Sequence, residues 1–273
     1  MVKERVCVTG AGGYLGSWVV KLLLSRDYAI HGTLMRFAGD EKYAHLNKLD
    51  KASENLKLLK AELLAYESLY SAIEGCSGVF HVASPLPLTA GANPEVELVE
   101  PAVKGTLNVL KACVEAKVKR VVVVSSVVAV ALNPGWPKAQ IKDESCWYDK
   151  EYCRTTKNCM QLIKLLKDGI HLLGNKTTMI VDMRDVAKAL ILVYEKPEAV
   201  GIYICIAYSI KEHDLVDKLR TLYPNYNYPK SFTEAEDEIL SSEKLQRLGW
   251  RYRLLEETLV DAIESYKKAG FLD

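Results

Sequence analysis

Short apolar runs alternate with segments of helical periodicity through the first half of this chain of 273 residues. Runs typical of strands occupy Arg5–Thr9, Ala29–Leu34, Leu56–Lys60, Gly78–Val82 and Arg120–Val124. Between them, apolar positions three or four residues apart predict helices over Tyr14–Ser25, Tyr66–Ile73 and Val96–Ala116, with a short helical turn around Tyr43–Leu49. Strands that are apolar on both faces and alternate with helices predict an α/β fold with a doubly wound parallel sheet.

The second half of the chain has a less regular pattern. It predicts, in order, a helix over Arg184–Glu195, a strand over Gly201–Ala207, a helix over Lys211–Leu222, a short helix ending near Leu248, and an amphipathic helix over Leu255–Ala269 closed by Gly270. No glycine- or serine-rich linker separates the two halves. We therefore expect a small C-terminal lobe that is packed against the larger fold and does not fold independently.

Composition narrows the classes of function. Apolar residues make up 49% of the chain and charged residues 26%, and the formal net charge is +1 with lysine and arginine scattered. This balance argues against nucleic acid or a membrane surface as a partner. The longest apolar runs, such as VVVVSSVVAVAL from Val121, are too short to span a bilayer, and no signal peptide precedes the first strand. Seven cysteines without metal-ligand spacing predict a reduced, cytoplasmic location and no metal site.

A glycine-rich turn joins the first predicted strand to the first predicted helix. In VCVTGAGGYLG, the glycines Gly10, Gly13 and Gly16 follow a GxxGxxG spacing. Glycine allows positive φ and a close approach of the backbone to a pyrophosphate, and the helix that begins at Tyr14 and Leu15 offers free N–H groups. An ordinary strand-to-helix turn is the alternative, but the surrounding βαβ pattern favours a dinucleotide site of the Rossmann type.

The end of the second predicted strand bears on the choice of dinucleotide. NAD-binding proteins usually carry a carboxylate there, which bonds the ribose 2′-hydroxyl. In HGTLMRFAGDEK the corresponding place holds Arg36, with Lys42 nearby. A guanidinium attracts a 2′-phosphate and stacks on adenine, so NADP(H) is the predicted cofactor, although a solvated surface arginine is the alternative.

Several motifs together resemble one plant enzyme family. They are KAELL at Lys60–Leu64, GVFHVASP at Gly78–Pro85, EPAVKGTLNVLKAC at Glu100–Cys113, VKRVVVVSS at Val118–Ser126, DESCW at Asp143–Trp147, RDVAKA at Arg184–Ala189 and GIYIC at Gly201–Cys205. The set resembles plant cinnamoyl-CoA reductases and dihydroflavonol reductases of the extended short-chain dehydrogenase/reductase family, and TTKN at Thr155–Asn158 is most similar to the cinnamoyl-CoA reductase-like branch. The resemblance covers nearly the whole chain.

The resemblance implies roles for residues at the ends of the predicted strands. Glu62 and Leu63 flank the adenine, although the family usually has Asp where this chain has Glu62. Val82, Ala83 and Ser84 line the nicotinamide-ribose side. By the same resemblance Arg36 reads the 2′-phosphate with Lys42 as a helper, and Ser126 matches the catalytic serine, with Ser125 beside it. Capping of nearby backbone is the alternative role for these two serines.

The proton donor of the family has no counterpart in the sequence. Members of the family use a tyrosine and a lysine four residues apart, which places both on one helical face near the reacting carbonyl. Among the 15 tyrosines, only Tyr226 has a lysine at that spacing, Lys230, and Pro229 between them would break the required helix. Tyr152 and Lys157 are five apart, and Tyr148 has no partner lysine.

The order of elements indicates an internal deletion after Asn158. A doubly wound sheet needs a crossover helix and a sixth strand after the fifth, a unit of at least about thirty residues, and neither is evident between Ser126 and Cys159. We predict a deletion on the order of fifty residues, from a skipped exon or an error in the gene model, between a cofactor domain at residues 1–158 and the remainder at residues 159–273. The loss should expose apolar surface along the fifth strand and Val96–Ala116 and leave the chain marginally stable.

Three hypotheses of function follow. The first is an NADP(H)-dependent reductase of a phenylpropanoid thioester, aldehyde or ketone, in which this chain is catalytically deficient. The second is a non-catalytic NADP-binding isoform that associates with intact paralogues. The third is an incomplete or mis-spliced product of an active reductase gene. The sequence does not identify the substrate, because the pocket-forming segment is the missing one.

Overall fold

The computed structural model describes residues 4–35, 41–84, 95–131, 133, 135–137, 140–146, 177–226, 228–229, 231–233, 239–268 and 270. The chain divides into two compact units. The first comprises Met1–Val124 with Val186–Val200, and the second comprises Ser125–Asp185 with Gly201–Asp273. The predicted division at residue 158 lies outside the described residues and stays a prediction.

Seven strands and ten α-helices are assigned within the described ranges. The strands are β1 Arg5–Thr9, β2 Ala29–Leu34, β3 Leu56–Lys60, β4 Gly78–His81, β5 Arg120–Val123, β6 Thr177–Ile180 and β7 Tyr208–Lys211. The helices are α1 Tyr14–Ser25, α2 Ala44–Asn47, α3 Ala52–Asn55, α4 Tyr66–Ile73, α5 Glu100–Glu115, α6 Val128–Ala131, α7 Met183–Glu195, α8 Glu212–Leu222, α9 Glu243–Arg247 and α10 Leu255–Lys268. A 3₁₀ turn, Glu41–Tyr43, precedes α2, and a π-helical segment, Glu95–Val99, precedes α5.

The first unit contains a five-stranded sheet in the order β3-β2-β1-β4-β5, and every neighbouring pair is parallel. The predicted doubly wound α/β architecture is therefore confirmed. Because all five strands run the same way, their carboxyl ends lie along one edge of the sheet. Ligands of open α/β sheets bind outside this edge.

Alternate residues of the central strands face two separate cores. Val6 and Val8 of β1 and Phe80 of β4 pack in one core with residues of α1 and α7. Cys7 of β1 and Val79 of β4 pack in the other, with residues of α4 and α5. This alternation explains why the strands have continuous apolar sequences, since both of their faces are buried.

The second unit contains a two-stranded antiparallel sheet in which Thr177 pairs with Lys211 and Ile180 pairs with Tyr208. The predicted strand over Gly201–Ala207 is wrong: the strand in this region is β7, which begins at Tyr208. Within the predicted segment, Ala207 donates its N–H to the carbonyl of Ile180 on β6 at 3.1 Å, but Ile204 and Ile206 bond to side chains. The Glu144 carboxylate accepts the N–H of Ile204 at 2.8 Å, and the hydroxyl of Ser242 donates to the carbonyl of Ile206 at 2.7 Å.

An ion-pair cluster joins the start of α7 to the segment before α10 within the second unit. Asp182 accepts the backbone N–H of Arg184 at 2.8 Å and pairs with its guanidinium at 2.7 Å. Arg253 lies 2.7 Å from Asp182 and 3.2 Å from the fully buried Asp185. Asp185 also accepts the N–H of Arg253 at 2.9 Å, and the indole of Trp250 donates to its carbonyl at 2.9 Å.

None of the described helices combines the length and apolar character needed to cross a bilayer. Among the described residues, no group of three or more His, Cys, Asp or Glu side chains is arranged to hold a metal ion. Among the cysteines that the structure describes, Cys7, Cys76, Cys113 and Cys205 are free thiols.

Candidate dinucleotide-binding site

The turn between β1 and α1 has a backbone shape that requires glycine at two positions. Gly10 has φ of +68°, and a β-carbon there would lie 3.0 Å from the Cα of Ala83. A β-carbon on Gly16 would lie only 2.2 Å from the carbonyl oxygen of Gly10. The sequence motif thus corresponds to a tightly closed loop at the carboxyl end of β1.

The start of α1 is open to an anion. Gly13 precedes the helix in an extended conformation, no side chain caps the helix, and its first turn carries no acidic residue. The N–H groups of Tyr14, Leu15 and Gly16 belong to this first turn and have no acceptor within the helix. These N–H groups and the positive end of the helix dipole suit a pyrophosphate, so the residues present fit the diphosphate of a dinucleotide.

A buried hydroxyl links the ends of β1 and β4. The Oγ1 atom of Thr9 accepts the N–H groups of Val82 and Ala83, each at 3.1 Å, and lies 2.8 Å from Nδ1 of His81. Both lone pairs of the hydroxyl are then in use, so its proton is donated to His81 Nδ1 and the imidazole is neutral with its proton on Nε2. Burial lowers the pKa of His81, which agrees with the neutral form. His81 therefore has a structural role beside the site, and its link to Thr9 is not visible in the sequence.

The loop is also fixed to the second strand. Thr33, near the end of β2, accepts the N–H of Gly10 through its hydroxyl at 3.1 Å and the N–H of Ala11 through its carbonyl at 3.0 Å. The ring of Tyr43 occupies the space beside Gly12, where a β-carbon would lie 2.3 Å from the ring. The GxxGxxG spacing picked out Gly10, Gly13 and Gly16 but not Gly12, which makes room for the Tyr43 ring. The adjacent glycines Gly12 and Gly13 were the sequence feature that could have indicated this close approach.

Arg36 and Lys42 were predicted to bind a 2′-phosphate, and Arg36 lies outside the described residues. Lys42 lies in the 3₁₀ turn after β2, with its ammonium 5.8 Å from the ring centroid of Tyr43. The turn therefore places a cation near the carboxyl end of β2, on the segment whose tyrosine packs against the phosphate loop.

The predicted adenine and ribose residues follow the ends of β3 and β4. Glu62 is exposed, lies 3.7 Å from the ammonium of Lys60, and donates its N–H to the hydroxyl of Ser68 at 3.2 Å. The carbonyl of Leu63 accepts the side-chain amide of Asn108 at 2.9 Å, which ties this turn to α5. Val82 and Ala83 are half-buried and Ser84 is exposed. These residues lie at the sheet edge where the fold places a dinucleotide.

Ser125 and Ser126 follow β5, belong to the second unit and are exposed. The hydroxyl of Ser126 accepts the N–H of Val128 at 3.3 Å and so begins α6. This is the capping contact expected of a serine at a strand end, and no contact of Ser125 or Ser126 assigns a catalytic role. Tyr148, Tyr152, Lys157, Asn158 and Lys230 lie outside the described residues, so the prediction that the acid–base pair is missing stays a prediction.

The parallel sheet, the glycine loop and the uncapped helix define a dinucleotide-binding α/β protein of the Rossmann class. Residues 7–187 match the model of the 3-beta hydroxysteroid dehydrogenase/isomerase family. The chain is 35% identical to cinnamoyl-CoA reductase 1 of Petunia hybrida over 318 residues, covering 98% of this chain and 94% of that protein. The chain belongs to the extended short-chain dehydrogenase/reductase family, and its curated relatives include cinnamoyl-CoA reductases.

Two solved structures are similar over almost their whole length. Vestitone reductase from alfalfa (Medicago sativa L.) is 30% identical, with a TM-score of 0.79 and coverage of 99% of this chain and 100% of that one. The yeast methylglyoxal/isovaleraldehyde reductase Gre2, solved with NADPH, has a TM-score of 0.78, 21% identity and coverage of 98% and 100%. Both comparisons support the fold assignment, and the predicted family is confirmed.

Proposed function

We propose that this chain binds NADP(H) and derives from a reductase of the cinnamoyl-CoA reductase-like lineage, which reduces a phenylpropanoid thioester, aldehyde or related ketone. The observation that supports this most directly is the phosphate loop. The curvature of the loop depends on Gly10 and Gly16, and it leads into a helix without a cap or an acidic residue. An anionic diphosphate matches both features.

NADP(H) is preferred over NAD(H) because the end of β2 offers cations in place of a carboxylate. Arg36 follows β2 in the sequence, and Lys42 lies in the turn beside the loop. A guanidinium and an ammonium favour a 2′-phosphate, whereas an NAD site uses a carboxylate for the 2′-hydroxyl. The solved Gre2 structure shows that a protein of this fold binds NADPH.

Bound NADPH would supply a hydride at the carboxyl edge of the sheet. The described residues provide binding and positioning. The N–H groups of Tyr14 and Leu15 would hold its diphosphate, and Thr9 holds the turn of Val82 and Ala83, which the family places beside the nicotinamide ribose. In the family, a serine at the position of Ser126 orients the carbonyl oxygen of the substrate, and in this chain the hydroxyl of Ser126 is exposed. Protonation of that oxygen needs the tyrosine and lysine that the sequence lacks.

We further propose that the chain is catalytically deficient because of an internal deletion. The alignment with the Petunia reductase is 318 positions long, whereas this chain contributes 98% of its 273 residues to it. About fifty aligned positions therefore have no counterpart here, which supports a deletion of the predicted size. General acid–base help is worth about 10²- to 10⁴-fold, so turnover should fall by at least that factor relative to an intact relative.

The outer face of α5 favours a second candidate function, a non-catalytic isoform that associates with an intact paralogue. Six apolar residues of α5 and the preceding segment recur every three or four positions and are between 38% and 78% exposed: Val96, Val99, Val103, Leu107, Leu110 and Val114. They form one stripe, because this spacing matches the helical period. Val123 on β5 is also exposed. An exposed apolar area on the order of 500 Å² is at the upper end of what a monomer carries. It supports association with a paralogue that covers this face with the helix this chain lacks.

Two assays test the proposed function. Quenching of protein fluorescence by NADPH and by NADH measures binding, with the Gly16→Ala variant as the control that should bind more weakly. NADPH oxidation with feruloyl or cinnamoyl thioester measures turnover against the Petunia enzyme as positive control. Absence of NADPH binding would overturn the cofactor assignment. Turnover equal to that of the intact enzyme would overturn the deficiency.

One sequencing experiment separates the deletion hypotheses. The transcript across Asn158–Cys159 either joins these codons directly or contains the missing segment. A direct join supports a genuine isoform, whereas an intervening coding segment identifies the chain as an incomplete product of an active reductase gene.

A further inference from the structure

His45 connects the phosphate loop to the turn that carries Lys42. Its Nε2 atom lies 2.9 Å from the hydroxyl of Ser17 on α1, and its Nδ1 atom lies 3.1 Å from the carbonyl oxygen of Lys42. The Ser17 hydroxyl in turn lies 2.8 Å from the carbonyl of Gly13, the residue that precedes α1. One imidazole thus spans 28 residues of sequence and contacts both parts of the candidate cofactor site.

Hydrogen-bond chemistry fixes part of this arrangement. A carbonyl oxygen only accepts, so Nδ1 of His45 must carry the proton and donate it to Lys42. Neutral His45 then accepts the Ser17 proton at Nε2, and protonated His45 donates to Ser17, whose own proton goes to Gly13. Both ring nitrogens are occupied within the chain in either state. His45 therefore acts on a ligand through its neighbours and not by direct contact.

The segment around His45 is anchored on its other side. Tyr43 is buried with its ring beside Gly12, and Leu46 is fully buried in the same core as α1. His45 and Lys42 are exposed on the opposite side of this short segment. Packing of Tyr43 and Leu46 holds this segment against the core. The His45–Ser17 hydrogen bond adds a second link, which connects the Lys42 backbone to the start of α1.

We propose that His45 is a positioning residue for the choice between NADP(H) and NAD(H). It holds the Lys42 turn at a fixed distance from the phosphate loop, so that a dinucleotide bound by its diphosphate presents its 2′-phosphate to Lys42. This inference rests on the proposed function. Loss of the link should weaken NADPH binding and leave NADH binding almost unchanged, because NADH has no 2′-phosphate for the turn to contact.

The test compares affinities for NADPH and NADH, measured by fluorescence quenching of the full chain. His45→Leu should lower the NADPH affinity about three- to tenfold, the range of one net hydrogen bond, with the NADH affinity changed less than about twofold. His45→Gln keeps an amide near the Nε2 position that can donate to or accept from Ser17, and it should restore most of the preference. Asn47→Ala, exposed on the same short helix, is the matched control and should leave both affinities unchanged.

A second variant tests whether His45 acts through Ser17. Ser17→Ala should reduce the preference for NADPH as much as His45→Leu does, and the double variant should lose no more than either single variant, since the two residues form one link. Additive losses, or an unchanged NADPH-to-NADH ratio in His45→Leu, would overturn the inference. If the unmodified chain binds neither dinucleotide, the proposed function fails instead. Thermal melting of each variant separates a loss of folding from a change in preference.

Discussion

Replacement of Gly16 by alanine is the most direct test of the phosphate loop. Gly16 lies in the first turn of α1, and an added β-carbon would lie 2.2 Å from the carbonyl oxygen of Gly10 and 3.0 Å from the Cα of Ala11. Both neighbours are backbone atoms, so no side chain can rotate away. The loop itself must move by roughly 1 Å to restore an ordinary contact.

Forced overpacking of this kind costs about 1–3 kcal/mol. For a chain of this size, each kcal/mol lowers the melting temperature by about 2–4 °C, so we expect a decrease of about 2–12 °C. Movement of Gly10 also displaces the N–H groups that would bind the diphosphate. If the same 1–3 kcal/mol is lost from binding, the NADPH dissociation constant rises by about five- to a hundredfold.

Gly13 provides the matched control within the same motif. Its φ is −76°, which any residue adopts, and a β-carbon there would have only the Gly10 carbonyl nearby, at 3.3 Å. Gly13→Ala should therefore lower the stability by less than about 1 kcal/mol. The measurements are thermal melting by circular dichroism and NADPH titration by fluorescence. Equal melting temperatures for the two variants would refute the steric reasoning, as would undiminished NADPH binding by Gly16→Ala.

Other predictions concern the ion-pair cluster and the apolar stripe. Asp185→Asn should destabilise the chain by about 2–4 kcal/mol in urea unfolding, because it removes the fully buried carboxylate that pairs with Arg253 and leaves Asp182 as the remaining buried partner. Glu257→Gln, whose carboxylate is 53% exposed on the same arginine, should have little effect. Burial alone raises the pKa of Asp182, but the Arg184 hydrogen bonds and the Arg253 charge outweigh it and lower that pKa. Its stabilisation is therefore present above the ordinary value of 3.8 and lost as the pH falls below it, which melting curves between pH 6 and about 3 will check. Leu107→Lys should reduce self-association in light scattering, and a sharp, high melting transition of the unmodified monomer would contradict the expected marginal stability.

The sheet was predictable because its signal is local. Strands buried on both faces have continuous apolar sequences, and Gly10 directly follows the first of them. Three of the five parallel strands have the predicted bounds, while β4 and β5 each end one residue earlier than predicted. At β4 the cause is visible: the N–H groups of Val82 and Ala83 bond to the hydroxyl of Thr9 and not to a neighbouring strand.

The second unit was harder to predict because distant side chains decide its backbone. Gly201–Ala207 has the alternation of a strand, and Ile204 and Ile206 are buried as that pattern requires. The N–H of Ile204 and the carbonyl of Ile206 nevertheless bond to the side chains of Glu144 and Ser242, which are dozens of residues away in sequence. The alternating pattern correctly predicted which side chains are buried, but it contained no information about the partner of the backbone.

The candidate site likewise contains a part that follows from local sequence and a part that depends on long-range contacts. Gly10, Gly13 and Gly16 are local and were found from their spacing, whereas the Thr9–His81 and Ser17–His45 contacts join residues 72 and 28 positions apart. The family's acid–base pair belongs to the local kind, because its tyrosine and lysine must share one helical face four residues apart. A search of the 15 tyrosines therefore covers every local arrangement of that pair, and it leaves only the one interrupted by proline. Any turnover above background must then use a proton donor outside that local motif, and replacing Tyr148 and Tyr152 in turn by phenylalanine tests whether either tyrosine is that donor.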